Sequence, residues 1–551
     1  MSPKSTFISS NGEEIQFEAY YEKRYNKKLS SQDQPLLVVT RKGKRIHLIP
    51  ELCMITGLTE RERSNFNLMK DLATVTKKSP QQRVEATNEF LQMFNQEPAS
   101  KILKQWSIEV EKNTTELDGK KVPSGALLMG GNQQLSLENN RNLEREAQRK
   151  LLTEVELVKV GVFCARGDSD IAENFLSHLA DSARTYNYPI RQPRLFTVDK
   201  PDWESWKRVF QDKLDRSVQF VILILPGRKK NAPLYDDIKR FFLSEMPIPT
   251  QVVLTETLKG KNERSIVNKI LVQIAAKAGA TPWGIDNMPF SSQPTMLVGL
   301  NVQSKGKSTL ISFSGTVNRS FSKYWSAVEV IEDQHQREAA ICKVFKRALV
   351  EFSTYSNNPN PTSVVLYREG TSEGQTKVLK DVEVRGILRA IEELIQEKKI
   401  QKKPEIFFVI ANKRTGTKFY GGDIKRLENP QMGTVVDDGI TSGKDFYLVS
   451  QLARQGTAAP THFSVIAYYG PTLEGGYVEK DVSDLKSRLT ELEILTYKMC
   501  YLYYNWLGSI RLPAPLKYAE ILGSLMSKLE KHGNFYLPHE EFSKYKTLFY
   551  I

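Results

Sequence analysis

A chain of 551 residues exceeds what one hydrophobic core supports and, at roughly 150 residues per domain, should hold about three or four folded units. Apolar residues at 40% and aromatics at 10% exclude wholesale disorder. The formal charge of +14 favours a polyanionic partner without identifying it.

No apolar run reaches the about 18 residues of a membrane span, and Met1 to Ser5 do not begin a secretory signal. The expectation is a soluble, non-exported chain of the nucleus or cytoplasm that touches no membrane. Cys53, Cys164, Cys342 and Cys500 are too scattered for a zinc clip or a disulfide framework.

Along the chain, residues 1 to about 33 are mostly polar. Gln34 to Val39 form a short extended run ending in the basic turn Arg41 to Arg45. Residues 34–149 read as a connector, helical and then loop-rich. Arg61 to Leu72 and Pro80 to Phe94 repeat apolar residues three and four apart, Ser79 is a candidate N-cap, and Asn113 to Asn139 is expected to loop over the surface.

Beyond residue 150 continuous apolar strands alternate with amphipathic helices, the pattern of a mostly parallel sheet covered on both faces. Val158 to Cys164 and Gln219 to Leu225 are strands of a first α/β unit, 150–285, with helices at Ile171 to Tyr186 and Leu234 to Phe242. This unit is basic: Arg228 to Lys277 holds ten Lys and Arg against five Asp and Glu. A second unit, 286–551, has strands at Thr295 to Val302, Leu310 to Val317, Ser363 to Arg368, Ile406 to Ala411 and His462 to Tyr469, and helices at Glu338 to Phe352 and Val382 to Glu397. Strand, strand, helix, strand, helix, strand is the order of an RNase H-like domain, in which acidic side chains gather around two metal ions.

Six ordered motifs carry a resemblance: Leu48 to Gly57 (LIPELCMITG), Tyr367 to Gln375 (YREGTSEGQ), Gly433 to Asp437 (GTVVD), Gln455 to Phe463 (QGTAAPTHF), Leu502 to Trp506 (LYYNW) and Arg511 to Pro515 (RLPAP). Together they mark a chain that resembles a Piwi-clade Argonaute from about residue 16 onward. The resemblance implies an α/β architecture of a PAZ remnant (1–33), a linker (34–149), a MID domain with a Rossmann-like parallel sheet (150–285) and an RNase H-like PIWI domain (286–551). It implies that the N domain and most of PAZ are missing, so that a guide is held at its 5′ end only.

By the same resemblance Tyr235, Lys239, Gln251, Gln273 and Lys277 form a pocket for the 5′ end of a short single-stranded, 5′-phosphorylated RNA. Independently, Tyr235 and Lys239 are four apart and so share one face near a helix start, where free N–H groups favour an anion. The family's Mg²⁺ at this pocket would be held by Gln273 and the carboxylate of Ile551. The family's cleavage set falls on Asn301, Glu338, Glu369 and His462. Asn301 removes a charge that two divalent ions need, Glu369 moves its carboxylate outward by one methylene, and Lys305 adds a cation nearby.

The expectation is therefore an RNA-binding scaffold that does not cut, working with RNA-silencing or RNA-processing proteins. The alternative is a Mg²⁺-dependent slicer endoribonuclease that tolerates Asn301 and Glu369. An unrelated basic α/β enzyme conflicts with the ordered motifs.

Overall fold

A computed structural model of the chain describes every residue except 10–11, 42–43, 55–56, 112–113, 139–142, 192, 228–232, 261, 359, 371–372, 424–425 and 545. Asn11, Asn113, Asn139, Lys261, the centre of the basic turn (Lys42, Gly43), Arg228 to Lys230 and parts of the LIPELCMITG and YREGTSEGQ motifs thus lie outside the described residues.

Two compact units emerge, Met1–Lys78 and Ser79–Ile551. In the first, strands Thr6–Ile8 and Glu14–Gln16 pair antiparallel, helix Phe17–Tyr25 follows, and strands Leu37–Arg41 and Lys44–Leu48 form a hairpin. Tyr20, Tyr21 and Tyr25 pack on one another. Helix Phe66–Thr76 starts at Asn65, whose side chain accepts from the N–H groups of Asn67 and Leu68.

The second unit opens with helix Pro80–Asn95, where Ser79 and Gln82 complete a reciprocal capping box. Residues 113–139, expected as a surface loop, instead contain strands Lys120–Lys121, Ala126–Met129 and Gln133–Ser136. Leu127, Met129, Leu135 and Leu137 are buried, and this alternating apolar set gives the stretch a core despite its glycines and asparagines.

The next layer alternates β1 (Val160–Ala165), α1 (Ser169–Thr185), β2 (Arg194–Val198), α2 (Trp203–Lys213), β3 (Phe220–Leu225), α3 (Pro233–Arg240), β4 (Thr250–Leu254) and α4 (Glu263–Lys277). The four strands form one parallel sheet in the order β4-β3-β1-β2. Every residue of β3 and β4 is buried, which explains the unbroken apolar run of β3 and leaves Thr250 and Gln251 of β4 as buried polar groups.

The largest sheet has ten strands. Its core comprises β5 (Thr295–Lys305), β6 (Ser308–Thr316), β7 (Tyr324–Ile331), β8 (Ser363–Glu369) and β9 (Glu405–Asn412), ordered β7-β6-β5-β8-β9. The first three are antiparallel, and β8 and β9 add in parallel to β5. Helices α5 (Arg337–Ser356) and α6 (Arg385–Gln396) cross between them and pack on one face. The sheet continues through β10 (Thr434–Val436), β11 (Asp445–Val449) and β12 (Thr461–Pro471), in the order β9-β12-β11-β10, with strand Lys120–Lys121 at the edge. Helices α7 (Val482–Met499) and α8 (Ala514–Leu529) pack on the opposite face. The sequence order omitted β7, whose aromatic and β-branched residues were a legible strand signal.

Candidate functional site: a lysine-lined pocket and an altered acidic centre

Two glutamines and two lysines meet at the first residues of β4. Lys239 leaves α3 and donates to Thr250 Oγ1 at 2.6 Å, while Lys277, on the last turn of α4, donates to Thr250 O at 3.1 Å and to Gln251 Oε1 at 2.9 Å. Gln251 Nε2 donates to Gln273 Oε1 at 3.0 Å, and Gln273 Nε2 donates to Asn505 Oδ1. Lys239, Lys277 and Gln251 are each less than a tenth exposed. Tyr235 completes the wall, its ring centroid 6.0 Å from the Lys239 ammonium. Burial, reinforced by the Asp236 charge, pushes the Tyr235 hydroxyl up to about 12. The five predicted residues thus come together.

Leu548, Phe549 and Tyr550 are buried, and Tyr550 Oη lies 2.8 Å from Ser326 Oγ, so the end of the chain docks on the fold. Ile551 is half-buried, and its N–H donates to Leu548 O at 3.2 Å. Among the described residues Gln273 bonds Gln251 and Asn505, not the Ile551 carboxylate. Gln273 Oε1 has a second lone pair, and a hard amide oxygen is donor chemistry that suits Mg²⁺.

Of the four positions expected at the acidic centre, Asn301 and Glu369 bond each other. Asn301, near the middle of β5, donates through Nδ2 to Glu369 Oε2 at 2.7 Å. Glu369 also pairs with Lys413 at 3.2 Å, Lys413 pairs with Glu520 on α8 at 3.2 Å, and Lys517 pairs with Glu520 at 3.3 Å. His462, opposite Asn412 where β12 pairs with β9, bonds Asp445 Oδ2 at 2.7 Å and stacks on Tyr447 with centroids 4.4 Å apart. Burial raises the Asp445 carboxyl, but hydrogen bonds from His462 and Ser442 outweigh it and hold the group below its ordinary value. Glu338 pairs with Arg389 of α6 at 3.8 Å. Lys305 is exposed at the end of β5, so the cation beside the altered pair is Lys413 rather than Lys305.

At this centre two carboxylates are matched by two ammonium groups and an amide N–H occupies one carboxylate oxygen, a donor set poorer in free negative charge than two divalent ions need.

A basic cluster escaped the sequence reading. Lys418 is held below its ordinary pKa by burial and by the charges of Arg83 and Arg511, and burial lowers Arg511 as well. Arg511 is aimed by Nη2 bonds to Lys413 O at 2.7 Å and Pro460 O at 2.9 Å. Arg83 Nε donates to Thr457 Oγ1 at 3.2 Å. Its members come from helix Pro80–Asn95, the segment after β9 and the RLPAP motif, and only the last carried any signal.

The family profile described as Piwi domain matches residues 220–531, and that described as PAZ domain matches residues 1–79. The chain belongs to the Piwi clade of the Argonaute family. It is 32% identical over 553 aligned residues to Piwi-like protein Ago3 of Bombyx mori, covering 96% of this chain and 57% of that protein. To Protein piwi of Drosophila melanogaster it is 30% identical, covering 95% and 61%. The chain therefore spans about three fifths of these Piwi relatives. The crystal structure of Drosophila Piwi superposes with a TM-score of 0.73 at 27% identity, over 100% of this chain and 71% of that one. Kluyveromyces polysporus Argonaute, solved with a guide RNA, gives 0.70 at 15% identity over 100% and 65%, a likeness of fold. In this Piwi architecture the lysine-lined pocket belongs to the four-stranded parallel sheet, and the altered acidic centre to the RNase H-like sheet. No helix among the described residues is long and apolar enough to cross a membrane.

Proposed function

We propose that this Piwi protein holds the 5′ end of a short single-stranded, 5′-phosphorylated RNA in the pocket of Tyr235, Lys239, Gln251, Gln273 and Lys277, and that it does not cut RNA. The observation that carries the reading is the convergence of two buried lysines on Thr250, 2.6 Å and 3.1 Å from its oxygens. A phosphate reaching these ammonium groups would form charge-assisted hydrogen bonds, which are among the stronger polar contacts. The basic cluster of Arg83, Lys418 and Arg511 suits further backbone phosphates. A guide RNA in the solved Kluyveromyces polysporus Argonaute supports the same class of partner.

Gln273 Oε1 and, in a chain that ends at Ile551, its carboxylate would hold a Mg²⁺ at this pocket. The ion would supply charge neutralisation between guide phosphates. Without a cleavage centre the output is assembly: the bound RNA either guides the protein or serves as a structural cofactor for RNA-silencing or RNA-processing proteins. The domain division 1–33, 34–149, 150–285 and 286–551 is the organisation we propose for this work, in the nucleus or cytoplasm.

The deciding experiment replaces Tyr235→Leu together with Lys239→Glu and measures RNA that co-purifies. The double variant should lose most bound RNA with its fold intact by circular dichroism. Undiminished recovery would remove the pocket assignment.

A further inference from the structure

A cleft lies between α4, strand Ala126–Met129 and the LYYNW motif. Its inner walls are Met129, Leu151, Val272, Trp283 and Tyr504, each less than a tenth exposed, and Trp506, 44% exposed, stands at the mouth. The Trp283 and Tyr504 rings meet edge to face with centroids 5.2 Å apart, and the Tyr504 hydroxyl donates to Trp283 O at 3.1 Å, which fixes that wall. The cleft is narrow: of about 650 Å³ of unfilled space counted to its mouth, the centre of a water molecule reaches only about 60 Å³. A flat ring suits such a slot better than a branched chain.

Polar groups wait along its edge. Tyr186, the residue after α1, lines the cleft at 6% exposure, yet its hydroxyl has no hydrogen-bond partner among the described residues. Burial, with the Glu144 charge, pushes that hydroxyl up to about 12, so at neutral pH it keeps its proton and can donate or accept. Asn268 accepts from Ser182 through Oδ1 at 2.7 Å and leaves its Nδ2 protons unused among the described residues, and the Gln148 side-chain amide is unpartnered among them too. A buried hydroxyl is costly to leave unbonded. Water would satisfy it but gains nothing from apolar ring walls, whereas a heteroaromatic ring meets both needs. Charge narrows the class further. Glu144 is taken up by Lys269 at 2.8 Å and by Ser265 at 3.2 Å, so the cleft presents no unmatched charge and favours a neutral ligand.

We propose that this cleft is a second ligand site that takes a free nucleoside, its base flat against the aromatic wall and its polar edge on Tyr186, Gln148 and Asn268. The site is distinct from the lysine-lined pocket: Asn505 stands between them, lining the cleft while it accepts from Gln273.

The test is equilibrium dialysis of the full chain, stripped of RNA, against radiolabelled adenosine, guanosine, cytidine and uridine, with each 5′-monophosphate alongside. At least one nucleoside should bind saturably, one per chain, and no more weakly than its monophosphate. Tyr186→Phe keeps the ring and removes the hydroxyl, and should weaken that binding about three- to tenfold. Ala147→Phe builds a ring into the slot from a lining residue and should abolish it. Tyr235→Leu with Lys239→Glu should keep it. Binding of none of the four, a clear preference for the monophosphate, or binding that both Tyr186→Phe and Ala147→Phe leave intact overturns the proposal. Binding lost with Tyr235 and Lys239 also overturns it, by assigning the nucleoside to the lysine-lined pocket, whose own test is RNA recovery. Melting temperatures of the variants separate an altered cleft from a lost fold.

Discussion

Asn301 Nδ2 donates to Glu369 Oε2 across 2.7 Å, joining β5 to its parallel neighbour β8 at the place where a cleavage centre would need two acidic ligands. The bond converts what could be a pair of like charges into a donor and an acceptor, and Lys413 takes up the remaining carboxylate oxygen at 3.2 Å.

From this geometry, cleavage of a fully complementary RNA target should be undetectable with Mg²⁺ or Mn²⁺. Asn301→Asp should set a second carboxylate against Glu369 at a site 4% exposed, and lower stability in chelator by about 1–3 kcal/mol, read as a fall in melting temperature. Mn²⁺ should reverse that fall only if the pair can still bind an ion. Robust cutting by the unmodified protein would promote the slicer alternative.

Helix α8 lies against this centre because residue 523 has no side chain. A Cβ there would stand 2.6 Å from Ser312 Oγ and 3.2 Å from Asn301 Oδ1, and neither β5 nor β6 can retreat from the middle of the sheet. Gly523→Ala should therefore cost about 1–3 kcal/mol as an overpacking change. Ser312→Ala in the same chain should recover part of it. Melting temperatures of the single and double variants give the comparison, and an unaffected single variant would mean that α8 can slide.

Which parts were legible follows from range in sequence. Tyr235 and Lys239 share a helix face by simple periodicity, and Gln251, Gln273 and Lys277 were placed by motif within the same short α/β unit. The link from Lys413 to Glu520 spans 107 residues and joins a loop after β9 to a helix beyond β12, a pairing that neither periodicity nor the cleavage motif encodes. The Asp445 partner of His462 was illegible for the same reason. The PTH motif fixes its strand, but it is the strand's pairing with β11 that turns the ring to Asp445. Residues 120–121 show the extreme case, since a two-residue strand has no pattern of its own and exists through its partner Thr434–Val436.

Lys418 offers a test of backbone tracking that is independent of the 5′ end. It is neutralised by no described carboxylate and faces Arg83 and Arg511, so a phosphate there should relieve mutual repulsion. Lys418→Ala should weaken all RNAs alike, whatever their first nucleotide, and reduce the slope of log affinity against log salt by about one. A loss confined to 5′-phosphorylated RNA would place Lys418 at the pocket instead.

A C-terminal extension should weaken RNA binding more than the same extension at Met1. The reason is the docked Leu548 to Tyr550 segment, which places whatever follows it against the fold rather than in solvent. In a chain that ends at Ile551, removing Mg²⁺ with chelator should reproduce that loss and add little to it. Equal affinities for the two extended proteins would separate Ile551 from the pocket.

The last expectation concerns pH and a site far from the RNA. Glu493 on α7 is fully buried, and its charged partner is Lys120 at 2.8 Å, an ammonium shared with Asp437 of the GTVVD motif. Burial pushes the Glu493 carboxyl from 4.5 up to about 7, against the opposing pull of Lys120. Between those values the folded protein keeps a proton that the unfolded chain has released. The contribution to stability is therefore greatest below about pH 4.5, falls as the pH rises to about 7 and is level above it. Glu493→Gln stays neutral throughout and removes this slope. Relative to that variant the unmodified protein should lose up to about 3 kcal/mol between pH 4.5 and 7, measured as a narrowing and then reversing gap in melting temperature. A gap that stays constant with pH would mean that Glu493 is already ionised against Lys120 in the folded state, and that the edge strand at Lys120–Lys121 is held by a full ion pair.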